Sequence, residues 1–489
     1  MRVGAAFVPL TVLLAVLAGC TTVVTGQPRA LGQIDPGTVA GLPVTNGPSG
    51  PRAGASDARL EVENVASDQQ GHAMDLLATN ALSDIYQFWT DTLPAQFGGT
   101  EFVAPKRLVS YDSRSDSMKI CTLDTRGLVN AMYCRMDDSV SWDRGELLPQ
   151  FANNPNYGPM SVVTVLAHEM GHKVQYLLGA KSGIDDDTPT IVKEQQADCY
   201  AGVFIRWVAE DKAPHFQLST GDGLNKVMSA ILSIRDPVGA ADANHPQAHG
   251  LAFDRIYAFQ AGFTDGAQRC AKIDMNDVQG RLTEHKFDQQ DFDRGNLRFD
   301  ERSVGLLQIS LDEAFKGVGV PLPKIVPGGS RCPDGKDTPP ATYCAANNQV
   351  SIDLPRLANL ASPPTRGQPL DPNAPGIGDF AAFAEVGSRY ALSMEHGRGL
   401  PLDGTEPGLR TACLTGAWAS FTRHRTQDNP QNQLRLSVGD LDEAVAELLS
   451  PHGLIAADAS GTQVPAGFAR VEAFRVGYTQ GSKPCTEQF

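Results

Sequence analysis

The chain has 489 residues, 41% apolar and 20% charged, a balance that suits a globular protein of two or three domains and excludes a disordered one. Its formal net charge is −15, with no basic block. That excludes the positive surface that phosphate binding requires, so no nucleic-acid partner is expected.

The N-terminus carries a targeting pattern. Arg2 precedes an apolar run from Ala5 to Ala18, ending in Leu17-Ala18-Gly19-Cys20. The run is too short to span a bilayer and reads as an export signal over residues 1–19. Its end resembles the bacterial lipoprotein signal, in which the cysteine is lipidated and the chain is cut just before it. That resemblance implies a lipid on Cys20 as the sole membrane anchor, on the outer face of the bacterial cell membrane. Residues 20–72 are rich in Pro, Gly, Ser, Thr and Ala without apolar periodicity, and are expected to form a flexible tether.

A first folded unit is predicted over residues 73–290. Leu76, Leu77, Leu82, Ile85, Phe88 and Trp89 follow Met74 at near-helical spacing. Ser161 to His172 is then an apolar helix pattern interrupted by His168, Glu169 and His172. One turn separates the two histidines, so both imidazoles project from one face and can share a zinc ion. Glu169 lies beside them, placed to act on a metal-bound water; this is the His-Glu-x-x-His pattern. A third ligand is needed, and position 178 is Leu rather than the histidine of the metzincin arrangement. Glu194, 22 residues beyond His172, can complete the site, and Asp198, one turn further on, can accept a hydrogen bond from a ligating imidazole. His249, preceded by His245 in the same loop region, is the candidate for stabilising an oxyanion, with His245 as the weaker alternative. Arg255 follows, in a segment that recurs later, which points to a structural role.

A polar stretch from Gln279 to Asp300 suggests a junction, with a second unit over residues 300–489. That unit repeats the first. Tyr133-Cys134 with Val140-Ser141-x-Asp143 returns as Tyr343-Cys344 with Val350-Ser351-x-Asp353, an offset of 210. Phe253-x-Arg255-x-x-Ala258-Phe259-x-x-Gly262 returns as Phe468-x-Arg470-x-x-Ala473-Phe474-x-x-Gly477, an offset of 215. Parallel cysteine spacing then selects the pairs Cys121–Cys134, Cys199–Cys270, Cys332–Cys344 and Cys413–Cys485, as expected in an oxidising compartment. In the second copy Ala384 and Ser388 replace the histidines, and Gly408 and Ala412 replace the two acids. Glu385 and the packing glycine Gly387 remain, but the zinc ligands are gone.

His168-Glu-Met-Gly-His172, Glu194-x-x-Ala197-Asp198-Cys199 and His249-Gly250 with Arg255 together resemble the neutral zinc metallopeptidases of bacteria, mycobacterial LpqM-type lipoprotein peptidases among them. The resemblance covers most of residues 76–275. It implies a mostly helical α+β, zincin-like fold, followed here by the degenerate tandem copy. It also implies Glu194 as the third ligand beside His168 and His172 and Glu169 as the base, but it implies no substrate. With the export signal, the motif chemistry leads to the expectation of one zinc ion on His168, His172 and Glu194 and hydrolysis of a peptide or protein substrate in the cell envelope. The competing reading is a non-catalytic zinc-binding lipoprotein acting as an adaptor. No sequence feature assigns an oligomeric state.

Overall fold

Asp68 starts the first long helix by accepting the Gly71 N–H at 2.8 Å. In the computed structural model this helix, α1 (Gln69–Gln96), buries Met74, Leu77, Leu82, Ile85, Phe88 and Trp89 on one face. The structure describes residues 37–235, 250–281, 296–363, 370–422, 434–437, 439–487 and 489. The proposed signal segment and Cys20 therefore lie outside the described residues.

After α1 come three short strands, β1 (Arg107–Tyr111), β2 (Ala131–Cys134) and β3 (Ser139–Asp143). They form a sheet in the order β1-β3-β2, with β1 parallel and β2 antiparallel to β3. The longer helices that follow among the described residues are α2 (Pro159–Leu178), α3 (Thr190–Ala209), α4 (Asp222–Ser233) and α5 (Ala252–Asp265). Pro159 opens α2, where a missing N–H costs nothing. Val162, Val163, Leu166, Met170 and Val174 give this helix its buried side.

Residues 296–487 run through the same kinds of element. A capping box between Asp300 and Ser303 starts α6 (Glu301–Phe315). Strands β4 (Lys324–Pro327), β5 (Ala341–Cys344) and β6 (Gln349–Ile352) then pair in the order β4-β6-β5, again one parallel and one antiparallel ladder. Tyr133 faces Val140 in the first sheet and Tyr343 faces Val350 in the second. Helices α7 (Asp379–Gly397), α8 (Thr405–Thr422), α9 (Asp440–Leu449) and α10 (Gly467–Gln480) complete the set. About half of the described residues are helical and the sheets are small, an α+β fold.

Glycine governs how the helices meet. A Cβ on Gly202 would strike the Phe259 carbonyl, and one on Gly262 would strike that of Cys199, so α3 and α5 touch backbone to backbone. Gly416 against Phe474 and Gly477 against Cys413 do the same for α8 and α10. The eight described cysteines are bonded in the four expected pairs, with Cα atoms 5.4–5.6 Å apart.

Two expectations need correction. Residues 37–68 are not a free tether. Val39 is buried, Gly50–Pro51 pairs with Phe216–Gln217, and Thr45 N donates to Thr220 Oγ1 at 2.8 Å. Hydroxyl and backbone pairing with the loop before α4 anchors this segment without any apolar period to betray it. The two units are also not separate bodies: residues 33–489 form one compact unit. Helix α5 packs on α10, with Phe253 against Phe474 and Tyr478, and Phe263 against Phe468. No helix among the described residues is long and apolar enough to cross a membrane.

Candidate metal centre

Helices α2 and α3 approach at Gly171, where an added Cβ would lie 2.9 Å from both Cα and O of Ala197. This close crossing lets short side chains from the two helices converge. His168, His172 and Glu194 each offer a ligand atom, all within 4.8 Å of one another. His168 Nε2 lies 3.1 Å from Glu194 Oε2, and His172 Nε2 lies 3.5 Å from Glu194 Oε1. A tetrahedral zinc ion with bonds of about 2.0–2.1 Å separates its ligand atoms by about 3.4 Å. The spacing fits.

The far side of each ring fixes which nitrogen is left for the metal. His168 Nδ1 stands 2.8 Å from Asp198 Oδ1, and a carboxylate only accepts, so Nδ1 carries a proton and Nε2 faces the shared space. His172 Nδ1 lies 3.1 Å from Gln175 Oε1, whose amide nitrogen donates to the Lys193 carbonyl at 2.5 Å. Asp198 is itself clamped by Arg255, with Nε to Oδ2 at 2.8 Å and Nη2 to Oδ1 at 2.9 Å. Arg255 also donates to the Ile234 carbonyl. It therefore does more than support the fold, as its recurrence had suggested: it orients the acid behind a candidate ligand.

Glu169 sits outside the trio, partly exposed, with Oε2 accepting the Tyr133 N–H at 2.9 Å. The edge strand β2 thus holds one carboxylate oxygen and leaves the other for chemistry. Burial raises the Glu169 carboxyl above its ordinary range, against the pull of the two imidazoles. Burial alone would lower His168, but Asp198 and then Glu194 reverse it and push the group up to about 10. Burial would raise Glu194, yet His172 and His168 hold it well below the usual range. Such a cage favours positive charge at its centre, and two imidazoles with one carboxylate are a donor set suited to zinc.

Sequence reasoning missed Tyr133 and Gln175. Gln175 was within reach, being three residues from His172 on the same helix. Tyr133 acts through its backbone, which no side-chain pattern reports. His249 and His245 lie outside the described residues. In the second half, Glu385 is buried, and burial with the neighbouring Glu447 carboxylate pushes its pKa well above normal. A Cβ on Gly387 would meet side chains alone, the Trp418 ring at 3.4 Å and Leu311 at 3.8 Å, so it is not a close-packing glycine of the Gly171 kind.

The cluster defines a candidate zinc centre built on two helices. The family described as "Putative neutral zinc metallopeptidase" matches residues 18–273, just over half of the sequence, and the chain belongs to that family. Uncharacterized proteins of Mycobacterium bovis (Mb2605) and Mycobacterium tuberculosis (Rv2575) are each 29% identical to it over 156 residues. The matched region is 28% of this chain and 53% of theirs, so the chain spans about half the length of the curated relatives it matches. No solved structure matches.

Proposed function

We propose that the protein is a zinc-dependent peptidase that hydrolyses peptide bonds in the bacterial cell envelope. The observation that carries this is the convergence of His168 Nε2, His172 Nε2 and Glu194 beside the separate carboxylate of Glu169. His168, His172 and Glu194 would hold one zinc ion. When bound there, zinc supplies Lewis acidity toward an attacking water and the scissile carbonyl. Glu169, steadied by the Tyr133 N–H, takes the proton from the water and returns it to the leaving amine. Asp198 and Arg255 keep His168 in the tautomer that presents Nε2.

The same reading places a lipid on Cys20 and the body outside the membrane, with residues 1–19 removed. It takes residues 300–489 as a degenerate copy of residues 73–290 that has lost its ligands. Support for the copy comes from the equal strand orders, the paired glycine contacts and the matching disulfide separations of 71 and 72 residues.

The test is a cleavage profile of the zinc-loaded protein against a broad peptide library, beside Glu169→Gln. Turnover should fall by at least about 10³-fold in the variant, given what positioned acid–base groups contribute, while zinc content stays at one ion per chain. A zinc-bound wild type that cleaves nothing would instead favour the adaptor reading. Full activity in Glu169→Gln would sink the mechanism.

A further inference from the structure

We propose a second metal site, for a hard divalent cation of the calcium type, between the N-termini of α7 and α9 in the C-terminal half. Asp379, Asp440 and Glu443 each offer an oxygen there, all within 4.8 Å of one another, and all three residues are buried. Asp379 and Asp440 are the first residues of their helices, and Glu443 reaches across from the first turn of α9 to accept the Phe380 N–H at 2.9 Å. The fold makes room for this carboxylate: a side chain at Gly378, whose φ is +146°, would overlap Glu443. Asp379 Oδ2 accepts from Leu297 N at 2.7 Å, and both oxygens of Asp440 accept from Ser437. Asp379 Oδ1 is buried with no hydrogen-bond partner among the described residues.

Charge decides what belongs there. No lysine, arginine or histidine forms an ion pair with the three acids among the described residues. Asp442, on the same turn of α9, is by contrast paired with Arg235 at 2.6 Å. Two helix N-termini supply about half a positive charge each. Against as many as three carboxylates, they leave a deficit of about two charges. Buried acids in that position are neutralised either by protons or by a cation. An all-oxygen donor set excludes the zinc preference of the first centre and suits calcium, which takes several carboxylate oxygens and fills the remainder with water.

The experiment uses the full chain freed of metal by chelation and titrated calorimetrically with CaCl₂, MgCl₂ and ZnCl₂ separately. Calcium should bind at one ion per chain and raise the unfolding temperature. The His172→Ala chain should bind it equally well, which separates this site from the zinc centre. Asp379→Asn should weaken calcium binding by at least tenfold. Should that variant not fold, the wild-type stoichiometry and the His172→Ala arm still decide. Absence of calcium uptake by the folded wild type at millimolar concentration would mean the acids are held neutral by protons, and would overturn the proposal. Undiminished uptake by a folded Asp379→Asn chain would overturn it too.

Discussion

Gln175 sits one turn beyond His172, accepts from its Nδ1 and gives its own amide to the Lys193 carbonyl. It is buried, so nothing replaces it when it is removed. Gln175→Leu should therefore weaken zinc binding by about 10–100-fold, the usual loss when a group behind a ligating histidine is removed. Gln175→Glu, which keeps an acceptor for Nδ1, should recover most of that loss. Competition with a zinc chelator measures both, and equal affinities in the leucine variant and the wild type would show that His172 is oriented by packing alone. Arg255 makes the harsher case. Arg255→Leu removes the guanidinium clamp and leaves the buried Asp198 carboxylate with the His168 Nδ1–H as its remaining partner; breaking a buried ion pair by removing one partner typically costs about 3–5 kcal/mol. Thermal unfolding should register it as a large loss. At this scale the sequence was readable where side chains act at helical spacing: His168 with His172, Glu194 with Asp198. It was silent on the Tyr133 N–H, because a backbone donor leaves no mark on residue type.

Between elements, the α2–α3 crossing is the quantity that matters, and Gly171 sets it. Gly171→Ala would place a methyl 2.9 Å from the Ala197 backbone, where no flexible side chain can yield. The helices must part, at a cost of about 1–3 kcal/mol for overpacking, and they carry the metal-binding atoms apart with them. Stability and zinc affinity should fall together. Gly387→Ala is the control: its methyl meets Trp418 at ordinary contact distance, and replacing a helical glycine lowers the entropy of the unfolded chain. Its unfolding temperature should hold or rise slightly. Comparing the two variants by calorimetry and zinc content separates a tight crossing from a generic glycine effect. Helical periodicity made α1, α2 and α3 legible. The parallel pairing of β1 with β3 was not, because such short strands pair across some thirty residues of chain and carry no register signal of their own. Residues 37–68 misled for the opposite reason: hydroxyl-to-backbone bonds hold them, and composition alone reads such a segment as loose.

For the whole molecule, the repeated segments turn out to face each other. Phe253 touches Tyr478, and Phe263 touches Phe468; the offset of 215 makes these the same contact seen from either side. Reciprocal contacts of that kind mark a self-complementary surface, as between two identical subunits. The matching segments were legible in sequence, but this contact between them was not, since a sequence repeat says nothing about which face each segment presents. Gln260 adds a hydrogen bond to the Phe468 carbonyl, and Asp442 takes both Arg235 and the Phe253 N–H. Ending the chain after Asp300 would expose Phe253 and Phe263, each worth roughly 1.5–3 kcal/mol of burial, and leave Arg235 without Asp442. Against a typical domain stability of about 5–15 kcal/mol, that loss is large. The shortened chain should be poorly soluble or unfold at least about 10 °C lower than the full chain, and it should lose zinc affinity along with stability, since Arg255 and Phe253 share α5. Soluble yield, calorimetry and zinc content read the three effects. A shortened chain that stays soluble, with unchanged unfolding temperature and zinc content, would mean that the second half stabilises nothing in the first. The reciprocal face would then have to serve something other than the metal centre's fold.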